Sequence, residues 1–209
     1  MTFRQRVGSS ASQDRLEGLI AERLKPGADK KLIDERIWDL FGEIWAVMFT
    51  DLAGFSRGVA EFGIIHFLQT IYESQRILVP VIELHDGVLL KTEGDSLLVI
   101  FRKPDRAARC AIEMQRTLKR HNRRKSAAEK ILLCVGIGFG PKLRIGDQDV
   151  FGAEVNAASK LGEDTAKAWE IMVTDSVRAA IRRLPGASFE RIDTVPPGAK
   201  GAFRLRYSL

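Results

Sequence analysis

The sequence predicts a mixed α/β (α+β) fold, a ferredoxin-like βαββαβ sandwich followed by an additional helix and strands. Three observations lead to this prediction. Short apolar runs alternate with longer segments of helical periodicity, two of the runs are separated by only three residues, and the alternation continues to the C-terminal end. With 209 residues, 45% of them hydrophobic, the chain is long enough for one domain with a substantial core and a modest extension.

The first 42 residues form the predicted extension, which is helical and precedes a main domain at residues 43–209. Apolar residues at helical spacing run from Leu16 to Leu24 and stop at a Pro-Gly pair. A second helical pattern runs from Leu32 to Phe41 and ends at Gly42. Such a helix could dock on the domain or pair with a copy of itself, and the sequence does not decide between them.

The main domain begins with IWAVMFT at residues 44–50, a continuous apolar run that is typical of a strand buried on both faces. Apolar residues three and four positions apart predict the helices, and a short Gly-containing connection predicts a hairpin. After the first strand, the predicted elements are a helix at 59–84, hairpin strands at 87–92 and 96–101, a helix at 104–120, a buried strand at 131–138, a short exposed strand at 142–145, a helix at 153–161, a strand at 171–174, a helix at 175–183, and strands at 189–195 and 202–207.

Charge and composition limit the classes of function. The net charge is +6, but the basic residues are spread along helical patterns, and the densest run, Lys119–Lys125, has no interleaved aromatic residue. This favours a solvated helix end over a nucleic-acid site. The absence of a signal-peptide core and of any apolar stretch of membrane-spanning length leads us to expect a cytoplasmic chain with no membrane segment. Cys110 and Cys134 lie in apolar surroundings and are expected to be buried thiols.

Two carboxylates occupy positions that suggest a metal site. Asp51 directly follows the first strand, and Asp95 lies at the tip of the hairpin. The first strand of a ferredoxin-like sheet lies beside the hairpin, so the two side chains can converge at one edge and hold two hard cations, Mg²⁺ or Mn²⁺. Taken singly, each Asp is more often a cap or a turn residue. The pair of aspartates therefore leaves open both a metal site and two separate cap or turn residues.

The segment after Asp51 adds a possible phosphate site. Ala53 and Gly54 are small enough for backbone N–H groups to approach a ligand, and the N-terminus of the helix expected next favours an anion.

Three blocks of the sequence carry a resemblance to a known family. FTDLAGFS at 49–56, LLKTEGDSLLVIF at 89–101 and DVFGAEVNAASKLGE at 149–163 resemble, in order and in spacing, the signature blocks of class III adenylate and guanylate cyclases. The resemblance spans residues 45–207. It implies the nucleotide cyclase fold and an adenylate cyclase that converts ATP into cyclic AMP and pyrophosphate with two divalent metal ions.

The resemblance also implies roles for residues around the phosphates. Asp51 and Asp95 match the metal-binding aspartates, and the carbonyl of Leu52 is an expected additional ligand. The substrate-binding positions Gly54, Phe55 and Ser56 follow in the same block. The metal would lower the pKa of the ribose 3′-hydroxyl, and because no histidine is suitably placed as a general base, loss of the proton is assigned to the formation of a metal-bound alkoxide or to water.

The base, the ribose and the triphosphate have matching residues as well. Lys91 and Asp149 match the pair that recognises adenine, since a lysine can donate to N1 and a carboxylate can accept from the 6-amino group. Guanylate-selective members carry Glu and typically Cys at these places, so ATP is favoured over GTP. Asn156 matches the asparagine that orients the ribose, and Lys200 matches the lysine that holds the triphosphate.

One position departs from the family pattern. Four residues after Asn156, where an arginine commonly stabilises the transition state, this chain has Lys160. Lysine keeps the charge but lacks the planar bidentate group. We expect Lys160 to substitute for the arginine, and its alternative interpretation is a solvated helical lysine. The departure keeps open a second function, a cyclase-like domain that binds nucleotide or dimerises for regulation without catalysis.

Family members build each site from two subunits, so the resemblance also implies a homodimer. The metal aspartates of one chain would face Lys91, Asp149, Asn156, Lys160 and Lys200 of the other. A nucleic-acid-binding domain is a further alternative and would bind through Lys119–Lys125 with a steep dependence on salt.

Overall fold

A mixed β-sheet with helices on both of its faces organises the chain in the computed structural model, which describes residues 11–54 and 62–209. The helices are α1 (Ala11–Arg23), α2 (Lys30–Phe41), α3 (Ile64–Leu84), α4 (Pro104–His121), α5 (Ala153–Ser159) and α6 (Asp175–Ala180). The strands are β1 (Gly42–Leu52), β2 (Val88–Glu93), β3 (Ser96–Phe101), β4 (Leu133–Ile145), β5 (Asp149–Phe151), β6 (Ile171–Thr174), β7 (Ala187–Ile192) and β8 (Ala202–Tyr207). Short 3₁₀ turns lie at Asn122–Arg124 and Ala127–Glu129, and a π-helical turn, Lys160–Thr165, follows α5.

The strand order confirms the predicted ferredoxin-like sandwich with C-terminal additions. The sheet runs β2-β3-β1-β4-β6-β8-β7, with β5 paired to β4. Its first four strands are the βαββαβ core, and β1 lies between β3 and β4 with antiparallel pairing on both sides. This order brings the end of β1 next to the hairpin that joins β2 and β3.

The two faces of β1 pack against different helices. Ala46 and Met48 belong to the main core with α3 and α4, whereas Trp45 and Val47 pack with residues of β3 and α5. Side chains alternate between the faces of a strand, so Asp51 follows the second set and lies on the α5 side of the sheet.

Helices α1 and α2 form a hairpin that packs on the far end of β4. Leu19, Ile33, Ile37 and Phe41 surround the fully buried Ile145. Arg23 Nε lies 2.6 Å from Asp34 Oδ1, and this ion pair joins the two helices. Helices α1 and α2 therefore dock on the sheet of their own chain, and α2 runs directly into β1. The division into residues 1–42 and 43–209 stays a prediction.

The glycines of β4 explain how α5 can lie against the sheet. A Cβ at Gly136 would lie 2.1 Å from the carbonyl oxygen of Ala158, and one at Gly138 would lie 2.3 Å from that of Glu154. Both distances are far below van der Waals contact, so only glycine allows α5 to approach this closely.

Two predicted strands are one. Residues 131–138 and 142–145 were expected to form a buried strand and a short exposed strand. Residues 133–138 and 142–145 both belong to β4, which is continuous through Pro141 because β1 is long enough to pair with it as far as Leu143. The prediction that the second piece is exposed is wrong, because none of residues 142–145 is exposed and Ile145 is fully buried. The side chain of Lys142 is also fully buried and donates a hydrogen bond from Nζ to the carbonyl oxygen of Trp45.

Other boundaries differ by a few residues. The helix expected at 175–183 ends at Ala180, and the strand expected at 189–195 is β7. Of the helix expected at 59–84, residues 59–61 lie outside the described residues, and the chain is helical from Ile64 through Pro80 to Leu84.

Cys110 and Cys134 are both buried and unpaired, as predicted, and burial raises the pKa of each thiol to about 12.

The basic run Lys119–Lys125 forms the end of α4 and the turn after it, where Asn122 is buried and exchanges two hydrogen bonds with Ile131. None of the helices in the described ranges is long and apolar enough to cross a membrane.

Candidate active site

The hairpin between β2 and β3 folds its tip against the end of β1. Pairing between β1 and β3 ends at Thr50 and Leu97, and the Thr50 hydroxyl oxygen accepts a further hydrogen bond from the Leu97 N–H at 3.2 Å. Two residues further along β1 and beyond the pairing, the backbone N–H of Leu52 donates to Asp95 Oδ2 at 3.3 Å. The structure therefore brings the Asp95 carboxylate to the end of the strand that carries Asp51.

Asp51 and Asp95 influence each other electrostatically. Burial, and after it the neighbouring charge and hydrogen bond of Asp95, raises the pKa of Asp51 to about 7, and the charge of Glu163 acts in the same direction. Asp51 and Asp95 are both partly exposed. Two carboxylates are thus held side by side in a place that solvent can reach.

These residues fit divalent cations by their chemistry. Carboxylate oxygens are the preferred ligands of Mg²⁺ and Mn²⁺, and no ion pair joins Asp51 or Asp95 to a lysine or arginine within the described ranges. A dication would offset both causes of the raised Asp51 pKa, the burial of the carboxylate and, after it, the charge of Asp95. No third His, Cys, Asp or Glu completes a metal-binding cluster in that part of the chain, so side-chain ligation rests on two carboxylates.

The segment after Asp51 is only partly described. The backbone N–H of Ala53 donates to the carbonyl oxygen of Leu132 at 2.8 Å, so this N–H is used by the fold and is not free for a phosphate. Gly54 has φ of +90°, and no atom of the described residues lies within 4 Å of the place a Cβ would take. The predicted substrate contacts Phe55 and Ser56 lie outside the described residues.

Lys91 and Asp149, the two residues assigned to adenine recognition, lie in contact. Lys91 Nζ lies 3.1 Å from Asp149 Oδ2 and 2.7 Å from Glu93 Oε1. The hydrogen bond to Glu93, and next the bond to Asp149, raises the pKa of Lys91 against the effect of partial burial. The other oxygen of Asp149 accepts the N–H of Val150 at 2.9 Å, which fixes the carboxylate. About a third of each side chain of the Lys91–Asp149 pair remains exposed to solvent.

Asn156 and Lys160 lie one helical turn apart and are both exposed. Lys160 Nζ donates to Asp164 Oδ2 at 2.7 Å, and this hydrogen bond raises the pKa of Lys160. The π-helical turn that contains Lys160 packs closely on the sheet at Gly162, where a Cβ would lie 2.9 Å from the nitrogen of Gly136.

Lys200 lies in the loop before β8 and is exposed. Its backbone N–H donates to Asp175 Oδ1 at 3.0 Å.

Three acidic residues beside the predicted site residues were not predicted from the sequence. Glu93 and Asp164 each bond a predicted lysine, and Glu163 adds negative charge near Asp51. The spacing of four between Lys160 and Asp164 was a usable signal, since helical residues four apart are neighbours. No comparable signal indicated Glu163, because its place depends on the π-helical turn.

The histidines are engaged elsewhere. His66 Nε2 lies 3.0 Å from the carbonyl oxygen of Ala128, His85 Nδ1 lies 2.9 Å from that of Val81, and His121 lies beside Glu73. These contacts agree with a site whose chemistry does not use a histidine base.

The fold, with an acidic pair at the edge where β1 meets the hairpin, defines the class of protein: a class III nucleotide cyclase domain. The chain belongs to the family described as the adenylate and guanylate cyclase catalytic domain, whose model matches residues 41–203. Domains of this family generally use divalent metal ions.

Two curated relatives match the chain over part of their length. It is 30% identical over 137 residues to the serine/threonine-protein kinase pkn2 of Myxococcus xanthus, which covers 66% of this chain and 16% of that protein. It is 27% identical over 132 residues to the putative adenylate cyclase 3 of Rhizobium meliloti (strain 1021), which covers 63% of this chain and 22% of that protein. The chain thus spans about a fifth of these relatives.

Solved structures with the same fold include both adenylyl and guanylyl cyclases. An adenylate/guanylate cyclase/hydrolase from Silicibacter pomeroyi has a TM-score of 0.68 and 23% identity, covering 80% of this chain and 98% of that chain. The adenylyl cyclase CyaB from P. aeruginosa has a TM-score of 0.66 and 18% identity, covering 80% and 96%. The guanylate cyclase domain of RhGC from Catenaria anguillulae, in complex with GTP, has a TM-score of 0.66 and 21% identity, covering 80% and 98%. At these identities the likeness shows the fold.

Proposed function

We propose that this domain, taken as residues 43–209, is an adenylate cyclase that converts ATP into 3′,5′-cyclic AMP and pyrophosphate at sites shared by two copies of the chain. The observation that carries the proposal is the meeting of Asp51 and Asp95 at the end of β1, where burial and the second carboxylate raise the Asp51 pKa to about 7. A strained acidic pair that no cation of the described residues neutralises suits a substrate that arrives with divalent ions and a triphosphate.

In the proposed reaction the 3′-hydroxyl oxygen of ATP attacks the α-phosphorus in line, the bond from the α-phosphorus to the bridging oxygen of the β-phosphate breaks, and pyrophosphate leaves. Divalent cations bound by Asp51, Asp95 and the Leu52 carbonyl would supply Lewis acidity at the attacking oxygen and at the phosphates. The hydroxyl proton leaves to water, because the three histidines of the chain are engaged elsewhere. The chain's own contribution is therefore positioning and charge.

The preference for ATP rests on the pair Lys91 and Asp149. An ammonium donor and a carboxylate acceptor 3.1 Å apart offer one hydrogen bond to adenine N1 and one from the 6-amino group. Guanine presents an N–H and a carbonyl oxygen at the equivalent places. The donor Lys91 would then face another donor, and the acceptor Asp149 would face another acceptor. Glu93, which also bonds Lys91, raises the pKa of the lysine and so favours its charged form.

Three further residues are assigned to the rest of the substrate. Asn156 orients the ribose, Lys160 stabilises the charge of the pentavalent phosphoryl group, and Lys200 holds the triphosphate. All three are exposed in the single chain. Polar substrate-binding residues that remain open to solvent in one chain suit a site that a second copy completes, and two-fold symmetry then gives two equivalent sites.

A second candidate function has its own supporting observation. Lys160 bonds Asp164 at 2.7 Å, and a lysine held by a carboxylate is less available to a phosphoryl group. A domain in which that bond persists would bind nucleotide and dimerise without turning it over. A guanylate cyclase is the third possibility, and the polarity of the Lys91–Asp149 pair counts against it.

One assay separates these functions. We expect cyclic AMP to form from ATP with Mn²⁺ or Mg²⁺, GTP to be a poor substrate, and specific activity to rise with protein concentration as dimers form. Asp51→Asn should abolish turnover, whereas Asp39→Asn, a matched change at an exposed position of α2, should not alter it. Nucleotide binding without any turnover at high protein concentration would support the regulator and contradict the enzyme.

A further inference from the structure

The loop that carries Lys200 is fastened to a single acidic residue. Asp175 Oδ1 accepts hydrogen bonds from the backbone N–H groups of Lys200, at 3.0 Å, and Gly201, at 3.1 Å. The backbone N–H of Asp175 in turn donates to the carbonyl oxygen of Gly201 at 3.0 Å. These bonds continue the pairing of β6 with β8 by one step past Thr174 and Ala202. The main chain of Lys200 and Gly201 is thus fixed by three bonds to one residue, one of them at Lys200 and two at Gly201.

The same loop is fastened to α5 on its other side. Gly198 has φ of +98°, and a Cβ there would lie 2.3 Å from the carbonyl oxygen of Ala153, the first residue of α5. A side chain at Gly198 would therefore force the loop away from the helix that carries Asn156.

The carboxylate of Glu154 joins α5 to the segment around Asp175. It is almost fully buried and accepts hydrogen bonds from the hydroxyls of Thr174, at 2.7 Å, and Ser176, at 2.8 Å. These two hydroxyls belong to the residues on either side of Asp175. Helix α5, the start of α6 and the loop before β8 are therefore one connected frame.

We propose that Asp175 is a positioning residue for Lys200: it sets the main chain from which the lysine reaches the triphosphate, in register with Asn156 on α5. The inference rests on the proposed function. A lysine side chain has four rotatable bonds, so its contribution to binding depends on where its Cα is held. Asp175 does not itself contact the nucleotide in this proposal.

The test compares two changes at Asp175 with a matched control. Asp175→Ala removes the acceptor, whereas Asp175→Asn keeps a side-chain oxygen for the two N–H groups. Asp105→Ala is the control, since Asp105 also lies in the first turn of a helix, α4, and bonds no loop of the site. The first measurement is hydrogen exchange of the Lys200 and Gly201 amides. The second is the affinity for 3′-deoxy-ATP, which lacks the attacking hydroxyl and does not react.

We expect Asp175→Ala to speed exchange of both amides at least about tenfold and to weaken 3′-deoxy-ATP binding about tenfold, since hydrogen bonds to a charged acceptor are lost. Asp175→Asn should stay within about twofold of the unchanged protein, as should Asp105→Ala. In a Lys200→Ala background, Asp175→Ala should weaken binding no further, because it acts through Lys200.

An equal loss of affinity with and without Lys200 would overturn the inference, and so would unchanged exchange of the two amides. If Asp175→Ala does not fold, Asp175→Ser replaces it, because the single shorter hydroxyl cannot supply the charged acceptor to both N–H groups, and it predicts the same pattern. Failure of the unchanged protein to bind 3′-deoxy-ATP would instead contradict the proposed function itself, and the inference with it.

Discussion

Lys91 and Asp149 are 58 residues apart in the chain, and their side chains form an ion pair of 3.1 Å between β2 and β5. Strand β2 is the edge of the sheet, whereas β5 is paired to β4, three places away in the strand order. The pair therefore depends on the close packing of β5 and α5 on the sheet, which the glycines of β4 permit. A donor and an acceptor held together by the fold can act as one recognition unit for a base.

This relationship predicts how the choice of nucleotide can be changed. Lys91→Glu should lower kcat/KM for ATP by about 100-fold or more, because a donor to the base becomes an acceptor and buried polar groups are left unpaired. Lys91→Glu combined with Asp149→Cys should turn over GTP faster than ATP. Initial rates with each nucleotide measure both effects.

The control for this prediction is Glu93→Gln, which removes the negative charge of the other partner of Lys91 and leaves the pair with Asp149. It should keep the preference for ATP. An unchanged ratio of ATP to GTP turnover in Lys91→Glu would mean that this pair does not contact the base.

Metal binding by the acidic pair predicts a gain in thermal stability that does not depend on turnover. Saturating Mn²⁺ should raise Tm by roughly 5 to 10 °C, since a ligand that binds only the folded state at about 100 times its Kd contributes about 2.7 kcal/mol. Asp51→Asn and Asp95→Asn should each remove most of that gain, and Asp39→Asn should keep it. A Tm that Mn²⁺ raises equally in all four proteins would place the metal elsewhere.

The convergence of Asp51 and Asp95 could be predicted because it follows from strand order. An apolar strand that ends in Asp51 and a hairpin that carries Asp95 at its tip must meet once β1 pairs with β3. The pair of Lys91 and Asp149 was foreseen through the family resemblance, since neither residue has a local pattern that points to the other.

What the sequence did not reveal depends on long-range packing. Pro141 and Lys142 have the local signature of a strand end, yet β1 pairs past them and buries the lysine. The bond from Asp175 to the Lys200 loop joins two turns whose local sequences carry no sign of each other. Local patterns predict elements, whereas such contacts exist only after the sheet has assembled.

A site built from two subunits predicts complementation. Asp51→Ala and Lys91→Ala should each be inactive alone, but a mixture should regain activity, since a heterodimer can assemble one site from its two unaltered halves. With random pairing, half of the dimers are mixed and each has one of two sites intact, so about a quarter of the unaltered activity should return. Mixing Asp51→Ala with Asp95→Ala, which alter the same half, is the control and should stay inactive.

The ion pair of Lys160 with Asp164 predicts that this part of the site can be improved. Lys160→Arg should raise kcat by about tenfold, because the planar group can bond phosphoryl oxygens in a bidentate manner. Lys160→Ala should lower kcat about 100-fold or more, comparable to the loss of one transition-state donor. Single-turnover rates with ATP measure both. If Lys160→Ala has no effect on kcat, the lysine is only a solvated helical residue.

Lys142 predicts a dependence of stability on pH. Burial lowers the pKa of this lysine to about 8, and the nearby charge of Glu154 partly opposes that effect. Between about pH 8 and the ordinary value of 10.5, the unfolded chain binds more protons at this residue than the folded one, so the free energy of unfolding rises with pH across that window. Below about pH 8 both states are charged, and the contribution no longer changes.

Urea unfolding of the unchanged protein and of Lys142→Met across pH 7 to 10.5 measures this contribution, because groups common to both proteins cancel in the difference. The difference should grow in favour of the unchanged protein by up to about 3 kcal/mol as pH rises, since each pKa unit corresponds to about 1.4 kcal/mol. Lys31→Met, at an exposed position of α2, controls for the loss of one positive charge. A difference that stays constant over the whole window would mean that Lys142 keeps its proton when folded, with the carbonyl of Trp45 and the charge of Glu154 together outweighing the cost of burial.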